Sequence, residues 1–261
     1  MSLSNIINEA TYPIEDNDFR EDCKKTLAEN GALVLPGFLN HKAIQAIIEE
    51  GEAKKDLAWY TKSTHNVYLT NVDPNYDADH ARNKQVISSK GCITDDQIDD
   101  DSPLRQLYNS EVFRAFLASV LDEDALYNYA DNLSSINLHY ASEGQELGWH
   151  FDNSSFAITL LIQKPEGGGV FEYIENMRDA DAGEMNYSGV SEVLAGQKKV
   201  KELAIDPGAL VLFRGRNAIH RVTPTKGDTT RMLAVLAYNS QPGIALSEAA
   251  RKTFYGRLGN A

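Results

Sequence analysis

Cysteine is scarce in this chain: Cys23 and Cys92 are the only two among 261 residues. They lie far apart, and neither belongs to a CxxC pair, so the sequence supports neither a disulfide framework nor a cysteine-rich zinc site. Such sparse cysteine usage is typical of proteins from a reducing compartment. We therefore expect a cytoplasmic protein.

Positive charge is also in short supply, with 25 Lys and Arg against 38 Asp and Glu and a net charge of −13. Nucleic-acid backbones and anionic membrane surfaces both attract basic faces, so neither is an expected partner. Five of the acidic residues fall in the segment TDDQIDDD at 94–101. We interpret that segment as a solvated turn between two elements.

Long apolar runs are absent. No uninterrupted apolar segment approaches the ~18–20 residues of a membrane span, and the segment MSLSNIINEATYPIEDNDF is too polar for a secretion signal. The 42% hydrophobic content is ordinary for a globular domain. We expect a soluble protein without a membrane partner, either a monomer or a homodimer.

Hydrophobic spacing divides the chain into a helical half and a β-rich half. Apolar residues at helical intervals predict helices in three segments: 16–31, 41–55 and 102–122. From about residue 134, short apolar runs alternate with Gly and Pro turns, which indicates a β-sandwich or barrel. We expect one α+β domain over 1–261, in which 1–133 supplies helical support and a substrate lid, 134–240 the antiparallel core, and 241–261 a tail.

Two side chains that suit a divalent metal stand at the start of an apolar run, in the segment WHFDNSS. His150 and Asp152 are separated by one residue, so on a strand they share a face and can reach one ion. An HxD pair alone is weak, and a third ligand must come from elsewhere. His220 follows the apolar strand ALVLFRG (209–215), where a neighbouring strand could deliver it. Two imidazoles and one carboxylate suit a divalent first-row metal such as Fe(II), Mn(II) or Zn(II), and they leave its remaining coordination positions open.

Arg231 opens another apolar strand, RMLAVLAYN, eleven residues after His220. A cation in such a strand is costly without a partner, and a guanidinium grips a carboxylate with two hydrogen bonds. The order HxD, His, Arg therefore predicts a metal site beside a carboxylate-binding arginine.

These segments, together with LHYASEGQELGW (138–149), resemble the iron(II)/2-oxoglutarate-dependent oxygenases over residues 134–239. The resemblance implies a double-stranded β-helix core of the jelly-roll or cupin type. It implies Fe(II) on His150, Asp152 and His220, with 2-oxoglutarate and O2 as co-substrates. The far carboxylate of 2-oxoglutarate would bind Arg231. We expect Tyr140, rather than the residues on the alternate face of its strand, to help hold 2-oxoglutarate.

More narrowly, LGWHFDNSSFAITLLIQ, GGGVFEYI and LFRGRNAIHRVTP resemble a subgroup that modifies free amino acids, including radical halogenases of lysine and related hydroxylases. Halogenases of this kind carry Gly or Ala at the carboxylate position, which leaves room for chloride at the metal. This chain carries Asp152 there. The departure favours hydroxylation of an unactivated C–H bond over halogenation.

The substrate pocket is less clearly marked. A free amino acid, such as lysine or a relative, needs a cation for its carboxylate and acidic or amide groups for its amines. The candidates for these contacts are Arg82, Asp131, Asn132, Asn153 and His139. The segment NVYLT (66–70) could belong to a lid or to a plain edge strand.

Two other functions fit the same residues. One is a hydroxylase of a peptidyl or carrier-bound side chain, which would have an open groove above the metal rather than a covered cavity. The other is a non-catalytic protein that senses a metal or an organic acid. A metal sensor would have no need of a buried Arg231.

Overall fold

A computed structural model of the chain describes residues 3–259. Within these residues the structure contains thirteen strands. They are β1 (Ala32–Leu35), β2 (Trp59–Asn66), β3 (Gln85–Ile93), β4 (Ile136–Ala141), β5 (Leu147–His150), β6 (Ala157–Gln163), β7 (Gly167–Gly168), β8 (Phe171–Ile174), β9 (Lys201–Leu203), β10 (Leu210–Phe213), β11 (Ile219–Val222), β12 (Thr225–Lys226) and β13 (Arg231–Leu236).

Six α-helices accompany these strands. They are α1 (Asn17–Asn30), α2 (His41–Lys54), α3 (Pro103–Asn109), α4 (Glu111–Leu121), α5 (Tyr187–Leu194) and α6 (Glu248–Tyr255). Short 3-10 turns lie at Leu3–Asn5, Lys55–Leu57 and Asp95–Gln97.

The first two predicted helices are confirmed, and their ends follow from local chemistry. The Asp16 carboxylate accepts the Phe19 amide at the start of α1, and Gly31 ends that helix with a φ of 65°. The Asn40 side chain caps α2 by accepting the Ala43 amide. A cap supplies an acceptor for an amide that has no partner inside the helix.

The third predicted helix is two helices. Ser110 ends α3 and begins α4, with extended backbone angles (φ −68°, ψ 121°) and a hydroxyl that accepts the Phe113 amide. The apolar spacing runs on through the break, so periodicity alone could not detect it. A serine competes well for such a capping position.

The strands pair antiparallel in the order β1-β10-β6-β13-β4-β3-β5-β11-β8-β9, with β2 added to the edge of β3. The sheet curls so that its two halves face each other, and β7 and β12 form a separate small pair. The hairpin β2–β3 comes from the half of the chain expected to be mainly helical. Its strand β3 lies between β4 and β5, and so completes the wall of the core.

The main hydrophobic core lies between the outer face of this sheet and helices α1–α4. Ile158, Leu160 and Ile162 of β6 face it, together with Phe113 and Phe116 of α4. These alternate positions of β6 bury the strand against the helices and leave Leu161 on the other face. The inner face of the curled sheet is therefore free to hold polar groups.

The C-terminal tail contains structure. Helix α6 packs on β2 and β3, and the Tyr255 hydroxyl donates to Oδ1 of Asn137 at 2.9 Å. Among residues 3–259, no helix combines the length and the apolar character needed to cross a bilayer.

Candidate active site

His150, Asp152 and His220 meet on the inner face of the sheet. Strands β5 and β11 pair antiparallel with His220 opposite His150, and one candidate ligand atom from each of the three residues lies within 4.8 Å of the others. Oδ1 of Asp152 is 3.6 Å from Nε2 of His150 and 3.5 Å from Nε2 of His220. The backbone pairing alone thus brings together residues that are seventy positions apart.

The two imidazoles are oriented to present Nε2 to an ion. Nδ1 of His150 lies 2.9 Å from the Gly148 carbonyl, and Nδ1 of His220 lies 2.9 Å from the Ala218 carbonyl. Because a carbonyl only accepts, each Nδ1 carries the proton and each Nε2 keeps its lone pair. Burial and the neighbouring His220 lower the pKa of His150 below its usual value, which keeps that ring neutral.

Asp152 supplies a charged oxygen with no protein partner. Its Oδ2 is buried and makes no hydrogen bond within the described residues. The two histidines hold the pKa of its carboxyl far below the usual range, against the opposing effect of burial. A buried carboxylate oxygen without a donor is costly unless a cation binds it, so the three residues fit a divalent metal.

Gly215 makes the space for this carboxylate. A β-carbon at position 215 would overlap Oδ2 of Asp152 and lie 3.0 Å from Cε1 of His220. The Asp152 amide also donates to the Gly215 carbonyl at 3.1 Å. The Asp152 side chain therefore occupies a pocket that only glycine leaves open.

Arg178 supports the backbone of Asp152 from the insertion between β8 and β9. Its Nη2 donates to the Asp152 carbonyl at 3.2 Å, its Nε donates to the Arg216 carbonyl at 2.7 Å, and its guanidinium lies 4.3 Å from the ring centroid of Phe151. Arg178 thus holds Phe151 by stacking on its ring and Asp152 by a charged hydrogen bond to its carbonyl.

The segment NVYLT contacts the metal strand directly. The Phe151 amide donates to the Val67 carbonyl at 2.8 Å, and Oδ1 of Asn66 closes the turn by accepting the Tyr68 amide. The Tyr68 ring stacks on Phe151 at 5.5 Å, which fixes the segment beside the ligands. Leu69 sits at the tip with a φ of 53°.

A third histidine borders the triad. His65 of β2 lies edge-on to His150, with ring centroids 6.2 Å apart, and its Nε2 is 2.7 Å from the Ser88 hydroxyl. Nδ1 of His65 is 3.0 Å from the Asn66 carbonyl, so that carbonyl fixes the ring orientation. His65 is outside the triad and lines its approach.

Arg231 has no anionic partner. Its side chain makes no hydrogen bond or ion pair among residues 3–259, and burial lowers the pKa of its guanidinium to about 10. Together with Phe171 it lines a partly open cavity of about 390 Å³ between the two walls of the sheet. The Phe171 ring stacks on His220 with centroids 5.5 Å apart, so the cavity borders the triad. A guanidinium in this setting fits a carboxylate ligand.

A family model described as Halogenase D matches residues 15–254. The chain belongs to the Halogenase D family. No curated protein matches the sequence closely enough to be named as a relative.

Solved structures show the same fold at low sequence identity. A 2OG-Fe(II) oxygenase family protein from Burkholderia pseudomallei is 12% identical, with a TM-score of 0.52 over 86% of this chain and 92% of that one. A Pseudomonas putida prolyl-4-hydroxylase is 12% identical, with a TM-score of 0.51 over 84% and 98%. The carbocyclase SnoK from nogalamycin biosynthesis is 11% identical, with a TM-score of 0.59 over 88% and 90%.

These likenesses confirm the predicted double-stranded β-helix fold. Together with the match to the Halogenase D family model, they support membership of the iron(II)/2-oxoglutarate oxygenase superfamily. Within that superfamily, Fe(II), 2-oxoglutarate and O2 are the expected cofactors, and the triad of this Halogenase D family member has the ligand types that iron requires. The fold is shared by enzymes of different reaction types, so it does not by itself fix the reaction.

The structure corrects the expectation for Tyr140. Its hydroxyl donates to the Gly51 carbonyl of α2 at 2.8 Å, and its ring lies in the main core on the outer face of the sheet. Because side chains alternate along a strand, His139 is the residue of β4 that faces inward. Nζ of Lys90 lies 3.2 Å from both ring nitrogens of His139.

Asp131 and Asn132 serve the C-terminal tail rather than the triad. The Asp131 carboxylate accepts the amides of Leu133, Ser134 and Leu246, which leaves it committed to a turn. Oδ1 of Asn132 is buried beside Gly259 and has no hydrogen bond to any residue between 3 and 259. Both residues precede β4 and lie under the tail, and substrate contact by either side chain stays a prediction.

Arg82 and Asn153 are placed near the triad without contacting it. Nη1 of Arg82 donates to the Asn71 carbonyl at 3.0 Å, in the loop that follows NVYLT. Asn153 is exposed, and its carbonyl accepts from Nη1 of Arg216 at 3.1 Å. Substrate contact by either side chain stays a prediction.

Reasoning from the sequence did not single out Gly215, Arg178 or Lys90. Gly215 stood at the end of the predicted strand ALVLFRG, and no motif marked Arg178. His65 and Lys90 come from the β2–β3 hairpin, whose position in the sheet no local pattern reveals. The order of strands in space, not their sequence, brings these side chains to the metal.

Proposed function

We propose that the protein is an Fe(II)- and 2-oxoglutarate-dependent dioxygenase that hydroxylates an unactivated C–H bond of a small polar substrate, a free amino acid such as lysine or a relative. We also propose that the enzyme is cytoplasmic and has no nucleic-acid or membrane partner. The observation that carries it is the Asp152 carboxylate, seated between the two histidines with an unpaired Oδ2.

The position of Asp152 supports hydroxylation over halogenation. A halide needs the coordination position that a Gly or Ala leaves open at this point of the chain. Here the carboxylate fills that position, and Gly215 and Arg178 hold it there. The family model is described as a halogenase, so this chain is proposed as a member that transfers oxygen instead.

The residues divide the remaining work between them. His150, Asp152 and His220 would hold the iron, and Arg231 would bind the far carboxylate of 2-oxoglutarate. When bound, iron with 2-oxoglutarate and O2 supplies the oxidising power to cleave a C–H bond and deliver oxygen. The chain positions the reactants, and the walls formed by Phe171 and the NVYLT segment limit the access of water.

The experiment that tests this proposal follows two products at once. The Fe(II)-loaded protein is incubated with labelled 2-oxoglutarate, ascorbate and a panel of free amino acids and short peptides. Succinate release stimulated by an amino acid, with an oxygen atom added to that amino acid by mass spectrometry, is the expected result. Stimulation by peptides alone would replace the free-amino-acid substrate with a peptidyl one, and succinate release that no substrate stimulates would contradict the proposal.

A further inference from the structure

Lys90 and His139 form a basic pair on the inner face of the sheet, outside the metal triad. The ammonium of Lys90 contacts the His139 ring at 3.2 Å, and both residues are partly buried. Burial lowers the pKa of Lys90, and burial together with Lys90 and Arg231 lowers the pKa of His139 well below its usual value. A neutral imidazole can accept a hydrogen bond from the ammonium, but it cannot balance the positive charge.

No acidic side chain within residues 3–259 compensates this charge. Neither Lys90 nor Arg231 has an ion pair, and no carboxylate contributes to the pKa of either group. The chain as a whole has an excess of 13 negative charges, so the shortage of acids at this point is local. Unpaired cations at partly dry positions are costly, and an anionic ligand would stabilise them.

Lys90 and Arg231 stand level in the register of the sheet, on either side of Ala141 of β4. Arg231 of β13 pairs with Ala141, and Gly91, which follows Lys90, pairs with Tyr140. The two cations therefore approach the interior from opposite sides of β4. The Arg231 side chain runs toward Gly169, whose β-carbon would lie 2.9 Å from Cδ of Arg231.

Lys90 lies on the face of β3 that also approaches the metal triad. Ser88 lies two positions earlier on the same face of β3, about 7 Å along the strand. Its hydroxyl contacts His65, whose ring borders His150. Ser88 and His65 therefore connect the face of β3 that carries Lys90 with the edge of the triad.

We propose that Lys90, oriented by His139, binds a carboxylate group inside the barrel, on the side of β4 opposite Arg231. This inference deepens the proposed function, because it assigns an acidic group to the molecule that enters the site. The carboxylate can belong to the amino-acid substrate or to 2-oxoglutarate, and the two sources are separable by experiment.

The test measures binding rather than turnover, so it does not depend on whether hydroxylation occurs. The Zn(II)-loaded protein is titrated with 2-oxoglutarate by calorimetry, for the wild type, Lys90→Met and Lys62→Met. Lys62 is an exposed lysine on the adjacent strand β2, and its replacement controls for loss of charge alone. The Zn(II)–2-oxoglutarate complex is then heated with each free L-amino acid and with its uncharged carboxamide.

A substrate carboxylate on Lys90 predicts stabilisation of the wild type by one or more amino acids, no stabilisation by the carboxamides, and loss of the effect in Lys90→Met. A co-substrate carboxylate predicts instead a 2-oxoglutarate affinity at least tenfold weaker in Lys90→Met. Lys90→Arg, which keeps the cation, should retain most of the binding and shows that the site still folds. If Lys90→Met matches Lys62→Met within twofold in both experiments, the proposal is wrong.

Discussion

The carboxylate of Asp152 occupies the volume that a side chain at position 215 would need, since a β-carbon on Gly215 would overlap its Oδ2. The HxD sequence places Asp152 near the metal site. Gly215, which precedes His220 in the chain, leaves the space that the Asp152 carboxylate needs to face that site.

Replacing Gly215 by alanine should displace the Asp152 carboxylate and weaken metal binding by about 10–100-fold, as for other groups that orient metal ligands. The affinity for Co(II) or Fe(II) can be measured by competition with a chelating dye. Gly167→Ala is the matched control, because its β-carbon meets only an ordinary contact at 3.5 Å. Equal affinity in Gly215→Ala and the control would contradict the role given to Gly215.

Arg178→Met should also weaken metal binding, by about tenfold, because the Asp152 carbonyl loses its charged hydrogen bond. The control is Arg82→Met, which removes an arginine that donates to the Asn71 carbonyl. Calorimetric titration with Co(II) distinguishes them. A loss of similar size in both variants would show a general loosening of the loops rather than positioning of Asp152.

Arg231→Met should leave metal binding intact and weaken 2-oxoglutarate binding by at least about 30-fold, which corresponds to about 2 kcal/mol for a buried charged hydrogen-bonded partner. Titration of the Zn(II)-loaded protein with 2-oxoglutarate measures this directly. A sensor that recognises only the metal would show no change. Unaltered 2-oxoglutarate affinity would remove Arg231 from the co-substrate site.

Lys90→Met should stabilise the ligand-free protein at neutral pH by about 1–2 kcal/mol, because a partly buried cation without an acid is replaced by an apolar chain of similar length. The pKa of Lys90 is lowered in the folded chain, where His139 and Cys92 are its titratable neighbours. The unfolded chain therefore binds more protons as the pH approaches the ordinary lysine pKa, and wild-type stability rises with pH in that range.

Urea unfolding at about pH 7 and about pH 9.5 measures both effects. The wild type and Lys62→Met should gain stability between the two values, and Lys90→Met should gain less. A Lys90→Met protein that is less stable than the control at neutral pH would show that Lys90 is a structural residue.

Part of the fold and of the site could be predicted from the local sequence. Spacing and capping residues predicted α1 and α2, and the triad with Arg231 was legible because strand alternation and chain order constrain where such residues can meet. Tyr140 was assigned to the wrong face, because alternation says that one set points inward without saying which. The contact of Tyr140 with α2 decides that question, and it depends on how a distant helix packs.

The rest could not be predicted for a similar reason. Lys90 and His65 come from a hairpin that enters the sheet between β4 and β5, a pairing set by tertiary packing. Asp131 looked like a free acid beside the metal strand, yet its oxygens accept the amide of Leu246, more than a hundred residues away. Polar residues in loops gain their partners only when the chain has folded.

The central claim is that this Halogenase D family member transfers oxygen rather than a halide. The most direct measurement is mass spectrometry of the product formed from the amino-acid substrate with Fe(II), 2-oxoglutarate, isotopically labelled O2 and excess chloride and bromide. The account predicts a product that gains one oxygen atom, carries the label and contains no halogen. A chlorinated or brominated product from the protein with Asp152 intact would contradict it.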